Sequence, residues 1–369
     1  MPYNQLDRTK LKIKPLAKRK NKVQIETDHI SIKQLPRNKS ERFIKLVTET
    51  VNRIKYAREK KLPVMLTFGA HSIKNGMGPV IIQLMEDGWL THLATNGAGI
   101  IHDWEFAYLG ESSEDVKTNV DQGEFGIWEE TGKYINLALI IGAFEGKGYG
   151  ESVGAMIENE GVQIPLEKEL SQIIHGYENN GAEKSAAALD LLQAINNFNL
   201  KPGWMKIPFP HKKYCVQSNA YRLKMPFTGH PMIGHDIIYN HPMNHGAALG
   251  RAALRDFLTY AESVTRLDGW VYMSVGSAVI SPMIFEKSLA MAQNLHIQNN
   301  KHIDDHYMII VDLAKSEWDW QKNGEPPDTD PAYYLRYLKT FNRMGGTMQY
   351  LSADNRDFLL GIYNYLSKR

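Results

Sequence analysis

Short apolar runs that stop at glycine, serine or asparagine alternate along this chain with longer stretches of helical hydrophobic periodicity. NKSERFIKLVTETVNRIKYAREKK (38–61) sets Phe43, Leu46, Val47, Val51 and Ile54 on one stripe, with Ser40 placed to cap the helix. PVMLTFG (63–69) follows, apolar and ended by glycine, as a strand buried on both faces would be. The pair then recurs: helical GPVIIQLMEDG (78–88) and strand-like WLTHLATNG (89–97), and later strand-like LKMPFTG (223–229) with a helix over 246–267. GWVYMSVGSAVI (269–280), YMIIVDLA (307–314) and TMQYLSA (347–353) read as strands, with helices expected over 283–295, 331–341 and 357–368. Strands alternating with helices make βαβ units, so the expected fold is α/β: a doubly wound, mostly parallel sheet with helices on both faces.

The stretch from 103 to 200 breaks the alternation and is mostly helical. The expected organisation is a basic N-terminal arm over 1–36 and a single domain over 37–369, with a helical insertion at about 111–200. The arm crowds Arg8, Lys10, Lys12, Lys14, Lys18, Arg19, Lys20 and Lys22, either as a solvated tail or as a contact for an acidic partner. Over the whole chain the net charge is only +2, which gives no sign of a nucleic-acid partner. The longest apolar run, INLALIIGAF (135–144), contains Asn136 and is too short to cross a bilayer. With Cys215 the only cysteine, no intrachain disulfide is possible, and a cytoplasmic location is expected.

In doubly wound sheets ligands sit beyond the carboxyl ends of the strands, so residues just after strands carry most information. Four such turns are rich in small polar residues: LTFGAHSIKNGMG (66–78), ATNGAGIIHD (94–103), SVGSAVISP (274–282) and SADN (352–355). Glycines there let backbone approach a ligand and leave amides free for phosphate at a helix start. Elsewhere, GKGYGESVG (146–154) misses the G-x-G-x-x-G spacing, and GAFEGKG fails the phosphate-loop pattern. TGHPMIGHDIIYNHPMNHG (228–246) gathers His230, His235, Asp236, His241 and His245, ligand types for Zn or Mn and also proton carriers near neutral pH. Their spacing fits no closed metal site, so no bound metal is expected. SEWDWQKNGEPPDTDP (316–331) combines tryptophans with carboxylates, suiting either a cation pocket or a solvated loop whose Asp330 caps the next helix.

On these turns the chain resembles the deoxyhypusine synthase family over roughly residues 40 to 366. That family has a Rossmann-like core, binds NAD and assembles as tetramers; it oxidises a polyamine and transfers an aminobutyl group through a lysine imine. Thr67 falls where the family has a Thr-Ser-Asn cofactor turn, whereas Phe68 and Gly69 depart from it. TNGAGIIHD is similar to the Thr-Thr-Ala-Gly-Gly turn: Thr95, Gly99 and Asp103 match, and His102 replaces a ribose-binding glutamate. Asn96, Gly97 and Ser277 belong to the same turns, and Ala353 and Asp354 match the last NAD contact. In GHDIIYNH, Asp236 takes the place of an active-site carboxylate. The Trp-Gly-Lys tract has no counterpart; Lys339 in YLRYLKTFNRMGG lies within a helical pattern.

The resemblance therefore implies an NAD-dependent enzyme acting on a small polyamine-like or other polar substrate, as a homo-oligomer. Catalytic candidates are His235, Asp236, His241, His102 and Asp103, with His235 and Asp236 suited to proton removal. A metal-dependent hydrolase built on the 230–245 histidines, or a catalytically silent protein that binds a nucleotide or a partner protein, are the alternatives.

Overall fold

The six apolar runs form one parallel sheet. Its strands are β1 (Val64–Phe68), β2 (His92–Asn96), β3 (Phe227–His230), β4 (Trp270–Val275), β5 (His306–Asp312) and β6 (Thr347–Ser352). They lie in the order β6-β5-β4-β1-β2-β3, every neighbouring pair parallel. From the other edge this is 3-2-1-4-5-6, the order of Rossmann-type dinucleotide-binding sheets, in which the chain reverses direction of travel between β1 and β4. The structure, a computed structural model, describes residues 3–266 and 268–367. Met1 and Pro2 of the arm, Leu267 and Lys368 at the ends of two expected helices, and Arg369 lie outside the described residues.

The chain divides into two compact units. The sheet unit comprises Thr27–Gly99, Arg222–His230 and Phe257–Arg369. Every residue of β1 and β4 is buried, which is why these strands read as nearly continuous apolar runs, interrupted only by Thr67 and Ser274, rather than alternating ones. Helix Glu41–Glu59 starts where Ser40 accepts the Phe43 amide, and it buries Phe43, Leu46, Val47, Val51 and Ile54, the stripe expected from the sequence. Gly361, in helix Asn355–Ser367, lets that helix pack close against Phe43 and Val47. On the other face Tyr272 stacks on Phe285 with ring centroids 4.4 Å apart, within a core that includes Trp270, Met308 and Phe341.

The helical unit comprises Met1–Glu26, Ile100–Tyr221 and Pro231–Asp256. Helix Glu129–Glu145 holds the INLALIIGAF run, and its residues from Ile135 to Ala143 are all buried. Asn136 is accommodated because its amide donates to the carbonyls of Gly132 (2.7 Å) and Ile238 (2.9 Å). Two short antiparallel pairs were not anticipated from periodicity: Asn21–Gln24 with Glu111–Glu114, and Gly161–Ile164 with Gly203–Lys206. NKVQ and ESSE are four-residue polar segments with too few apolar positions to show a period of two. The basic segment is woven into this unit: Arg8 donates to the Tyr239 carbonyl (2.7 Å), and Arg19 is buried.

No helix among the described residues is long and apolar enough to cross a membrane.

Candidate functional site

At the carboxyl edge of the sheet the chain reversal brings β1 and β4 side by side, with Phe68 opposite Val275. Both strands run directly into glycine. The Gly69 amide donates to the Val275 carbonyl (3.1 Å) and the Gly276 amide to the Val311 carbonyl (2.8 Å). A Cβ on Gly69 would run into the carbonyl oxygen of Gly276, so only glycine permits this backbone approach. Gly276 has φ +59°, and the chain then turns through Ser277, Ala278 and Val279 into helix Ile280–Ile297. Ala278 and Val279 are exposed, and the amides from Ser277 to Ile280 find no partner among the described residues. Free amides at the start of an 18-residue helix, beside the reversal point, suit an anionic group.

The other cofactor candidates surround this edge in differing ways. Thr67 is fully buried: it accepts a hydrogen bond from the Tyr272 hydroxyl (2.9 Å), which is also bonded to Ser281 (2.7 Å) and Tyr260 (2.9 Å). Thr95, equally buried, donates to the Phe68 carbonyl (2.8 Å) and ties β2 to β1. Both are held inside the sheet, and their hydroxyls are already engaged. Gly99 lies so close to Thr95 that a Cβ would collide with its side chain, so the helix start packs tightly on the strand end. Gly97 opens helix Gly97–Leu109, and Asn96 accepts the Gly99 amide (2.9 Å) as its cap. Ser277 accepts the Ser281 amide (3.2 Å). Ala353 continues β6, its amide donating to the Asp312 carbonyl (3.0 Å). Asp354 accepts the Arg356 amide (2.8 Å) and pairs with the Arg356 guanidinium (2.6 Å), which holds its carboxyl below the usual range.

The catalytic candidates fall in the helical unit, where three separate clusters form. Asp103 is buried and accepts the amides of Val216 (3.0 Å) and Gln217 (2.9 Å) and the thiol of Cys215 (3.1 Å). It anchors the start of helix Val216–Arg222. Burial pushes its pKa up against those donors, and burial with the adjacent Asp103 also pushes up the Cys215 thiol. His102 Nδ1 lies 2.7 Å from the Ser112 hydroxyl, which donates to Glu105 (2.6 Å). Glu105 is buried, yet Arg19 at 2.7 Å and the donors around it outweigh the burial and hold its carboxyl below the ordinary range. His102 thus sits partly exposed at the end of a hydroxyl–carboxylate–guanidinium chain.

The third cluster lies around Asp236. His235 is exposed, while Asp236 turns inward and its Oδ2 finds no hydrogen-bond partner among the described residues. Burial pushes Asp236 up to about 6, with the Met232 amide partly opposing it. The hydroxyls of Tyr149 and Tyr239 are likewise buried without a partner, and the field of Asp236 adds to the burial that raises both above the usual phenol range. An unpaired carboxylate oxygen with two unpaired hydroxyls beside it is costly unless something else satisfies them.

The 228–246 histidines do not converge. His230 ends β3, buried, and shares the Thr228 hydroxyl with His92 at 3.0 Å from each. His241 Nδ1 accepts the Met243 amide (3.1 Å), which places its proton on Nε2, facing Glu129 at 3.3 Å. That engaged tautomer leaves neither nitrogen ready to take a proton. His245 accepts the Ala248 amide (3.3 Å) at the start of helix Gly246–Val264. No group of three or more metal-binding side chains forms among the described residues. Sequence reasoning counted the turns of Gly69 and Gly276 among the ligand-facing ones without placing either glycine as a contact, and it gave Tyr149, Tyr239 and Arg19 no role in a site. For the two glycines the signal was present, each directly ending an apolar run; for the tyrosines and Arg19 there was none.

No protein-family model and no curated protein matches the sequence. Solved structures overlap it at low similarity. ArgZ, an arginine dihydrolase from the ornithine-ammonia cycle in cyanobacteria, is 14% identical, covering 89% of this chain and 32% of that one at a TM-score of 0.42. AgrE in complex with ornithine and NAD+ is 13% identical over 90% of this chain and 34% of that one, at 0.43. A conserved LOR/SDH protein from Methanococcus maripaludis S2 is 11% identical over 93% and 73%, also at 0.43. The chain thus spans about a third of the length of ArgZ and AgrE. None of the three is described as a deoxyhypusine synthase.

Proposed function

We propose that the chain is an NAD-dependent enzyme acting on a small cationic amine. The observation that carries this reading is the reversal point between β1 and β4. There, glycine-only backbone contact at Gly69 and Gly276 adjoins the unpartnered amides of Ser277 to Ile280. Those amides would hold the pyrophosphate, with Asn96, Gly97 and Asp354 at the neighbouring strand ends as further contacts. When bound, NAD supplies a hydride acceptor.

A separate cluster within the helical unit suits the amine. Asp236, with its carboxyl at about 6, is ionised at neutral pH and offers a buried negative charge to an ammonium group. Tyr149 and Tyr239, both raised, stay protonated and offer hydroxyls beside it. The resemblance to deoxyhypusine synthases narrows the amine to a polyamine, with Asp236 at the position of that family's carboxylate. Transfer through a lysine has no support from Lys339, which pairs with Glu325 and lies over the Tyr333 ring.

The test is calorimetric titration with NAD, followed by spermidine and NADH absorbance. Saturable binding and thermal stabilisation are expected, about 2.7 kcal/mol at a hundredfold excess over Kd. Absence of heat and of any melting shift at millimolar NAD defeats the reading. A second reading, a silent nucleotide-binding protein, draws on the missing Trp-Gly-Lys tract and on Lys339, which is held by Glu325. NAD binding with no NADH formed from any polyamine would favour it.

A further inference from the structure

Strand β6 is the edge of the sheet, so alternate residues turn their backbone groups away from β5. The outward set is Met348, Tyr350 and Ser352, as the inward Ala353 amide bonded to Asp312 requires. Two of these groups are closed off by side chains: the Met348 amide donates to the Gln321 side chain (2.8 Å), and the Tyr350 carbonyl accepts from Arg42 (3.1 Å). Between them, the Met348 carbonyl and the Tyr350 amide find no partner among the described residues. They border a cavity of about 540 Å³, within the size range of small-molecule sites. Trp318 and Trp320 line it, together with Lys45 and Glu317. The Trp318 indole is fixed by donating to the Gly324 carbonyl (2.9 Å), while the Trp320 indole nitrogen is buried and unpartnered.

We propose that this cavity binds an adenine nucleoside or nucleotide, separately from the dinucleotide edge. An extended segment shows the carbonyl of residue i and the amide of residue i+2 on one side. A 6-aminopurine complements that pair with its amino donor and the adjacent ring-nitrogen acceptor. Because Gln321 and Arg42 close both flanks, only one carbonyl–amide pair is free, which excludes an added β-strand and fits one planar ring. Trp318 gives a fixed aromatic face for stacking. Glu317 can accept from ribose hydroxyls, and Lys45 can meet a 5′-phosphate.

The test is titration of the full chain with adenosine and with inosine, read by tryptophan emission. Inosine reverses the pattern, placing a carbonyl oxygen against the Met348 carbonyl and a ring N–H against the Tyr350 amide. Adenosine should saturate, inosine should bind at least about tenfold more weakly, and Trp318→Ala should weaken adenosine by a similar factor without changing NAD binding. Equal affinity for the two nucleosides, or no adenosine binding, overturns the proposal. So does unchanged adenosine affinity in a folded Trp318→Ala chain. If that variant fails to fold, Lys45→Ala decides with AMP as ligand: AMP should bind more weakly while NAD affinity holds, and unchanged AMP affinity overturns the proposal.

Discussion

Asp236 and the His92–His230 pair show how single buried groups set opposite pH dependences. The folded pKa of Asp236 is raised from 3.8 to about 6 by burial, so its contribution to stability is complete below pH 3.8 and is lost as pH rises through 6. Above that window the ionised form costs up to about 3 kcal/mol. Asp236→Asn should therefore raise the melting temperature at pH 8 while lowering amine turnover by about a hundredfold or more. A variant that melts earlier and keeps its turnover would make Asp236 a structural residue. His92 and His230 titrate the other way: burial lowers each from 6.5 to about 3, with their mutual repulsion adding for His92. Their contribution is present above pH 6.5 and drains away as pH falls toward 3, by about 1.4 kcal/mol per unit for each ring. Circular dichroism against pH should show acid unfolding beginning below pH 6, and His230→Gln should shift the transition to lower pH. An unchanged transition would remove the pair from the account.

Among the elements, the most demanding contact joins the ends of β1 and β4. Gly69 has φ −84°, which any residue can adopt, so its requirement for glycine is steric rather than conformational. The obstacle is the Gly276 carbonyl, which is backbone and has no rotamer to escape into. Gly69→Ala must push the two strand ends apart, at a cost of about 1–3 kcal/mol. NAD affinity should fall with it, whereas Gly250→Ala, on helix Gly246–Val264 with open space beside it, should leave NAD affinity unchanged. Chemical denaturation and calorimetry on both variants would check this. Equal NAD affinity in Gly69→Ala and the parent chain would detach the glycine contact from the cofactor site. The strand and helix positions themselves were legible: β1, β2, β4 and β6 fall inside the expected apolar runs, β5 starts one residue ahead of its run at His306, and Ser40 caps where expected. Buried parallel strands have to be continuously apolar, so their signal is strong. The Asn21–Gln24 and Glu111–Glu114 pair escaped notice because pairing between two polar four-residue segments leaves no periodic trace.

For the whole molecule, the homo-oligomer implied by the family resemblance is open to direct measurement. Light scattering at micromolar concentration should give a mass near four times 42.0 kDa. A 42.0 kDa particle would exclude the tetramer and leave the NAD reading standing on the sheet alone.

The sequence by itself determined the class of fold, because a parallel sheet buried on both faces writes its strands and crossovers directly into hydrophobic pattern and turn chemistry. It also singled out the carboxyl edge, where glycines and small polar residues follow the strands. Only the tertiary structure decided which of those residues are available. Thr67 and Thr95 look like cofactor contacts in a linear reading, yet their hydroxyls are bonded within the sheet to Tyr272 and the Phe68 carbonyl. Asp103 looks catalytic beside His102, yet it accepts the amides that start a helix more than a hundred residues away. Arg19 reads as one charge in a loose basic arm, yet it is buried against Glu105. Hydrogen-bonding capacity is a property of residue type, whereas its consumption depends on partners that chain folding brings from distant positions.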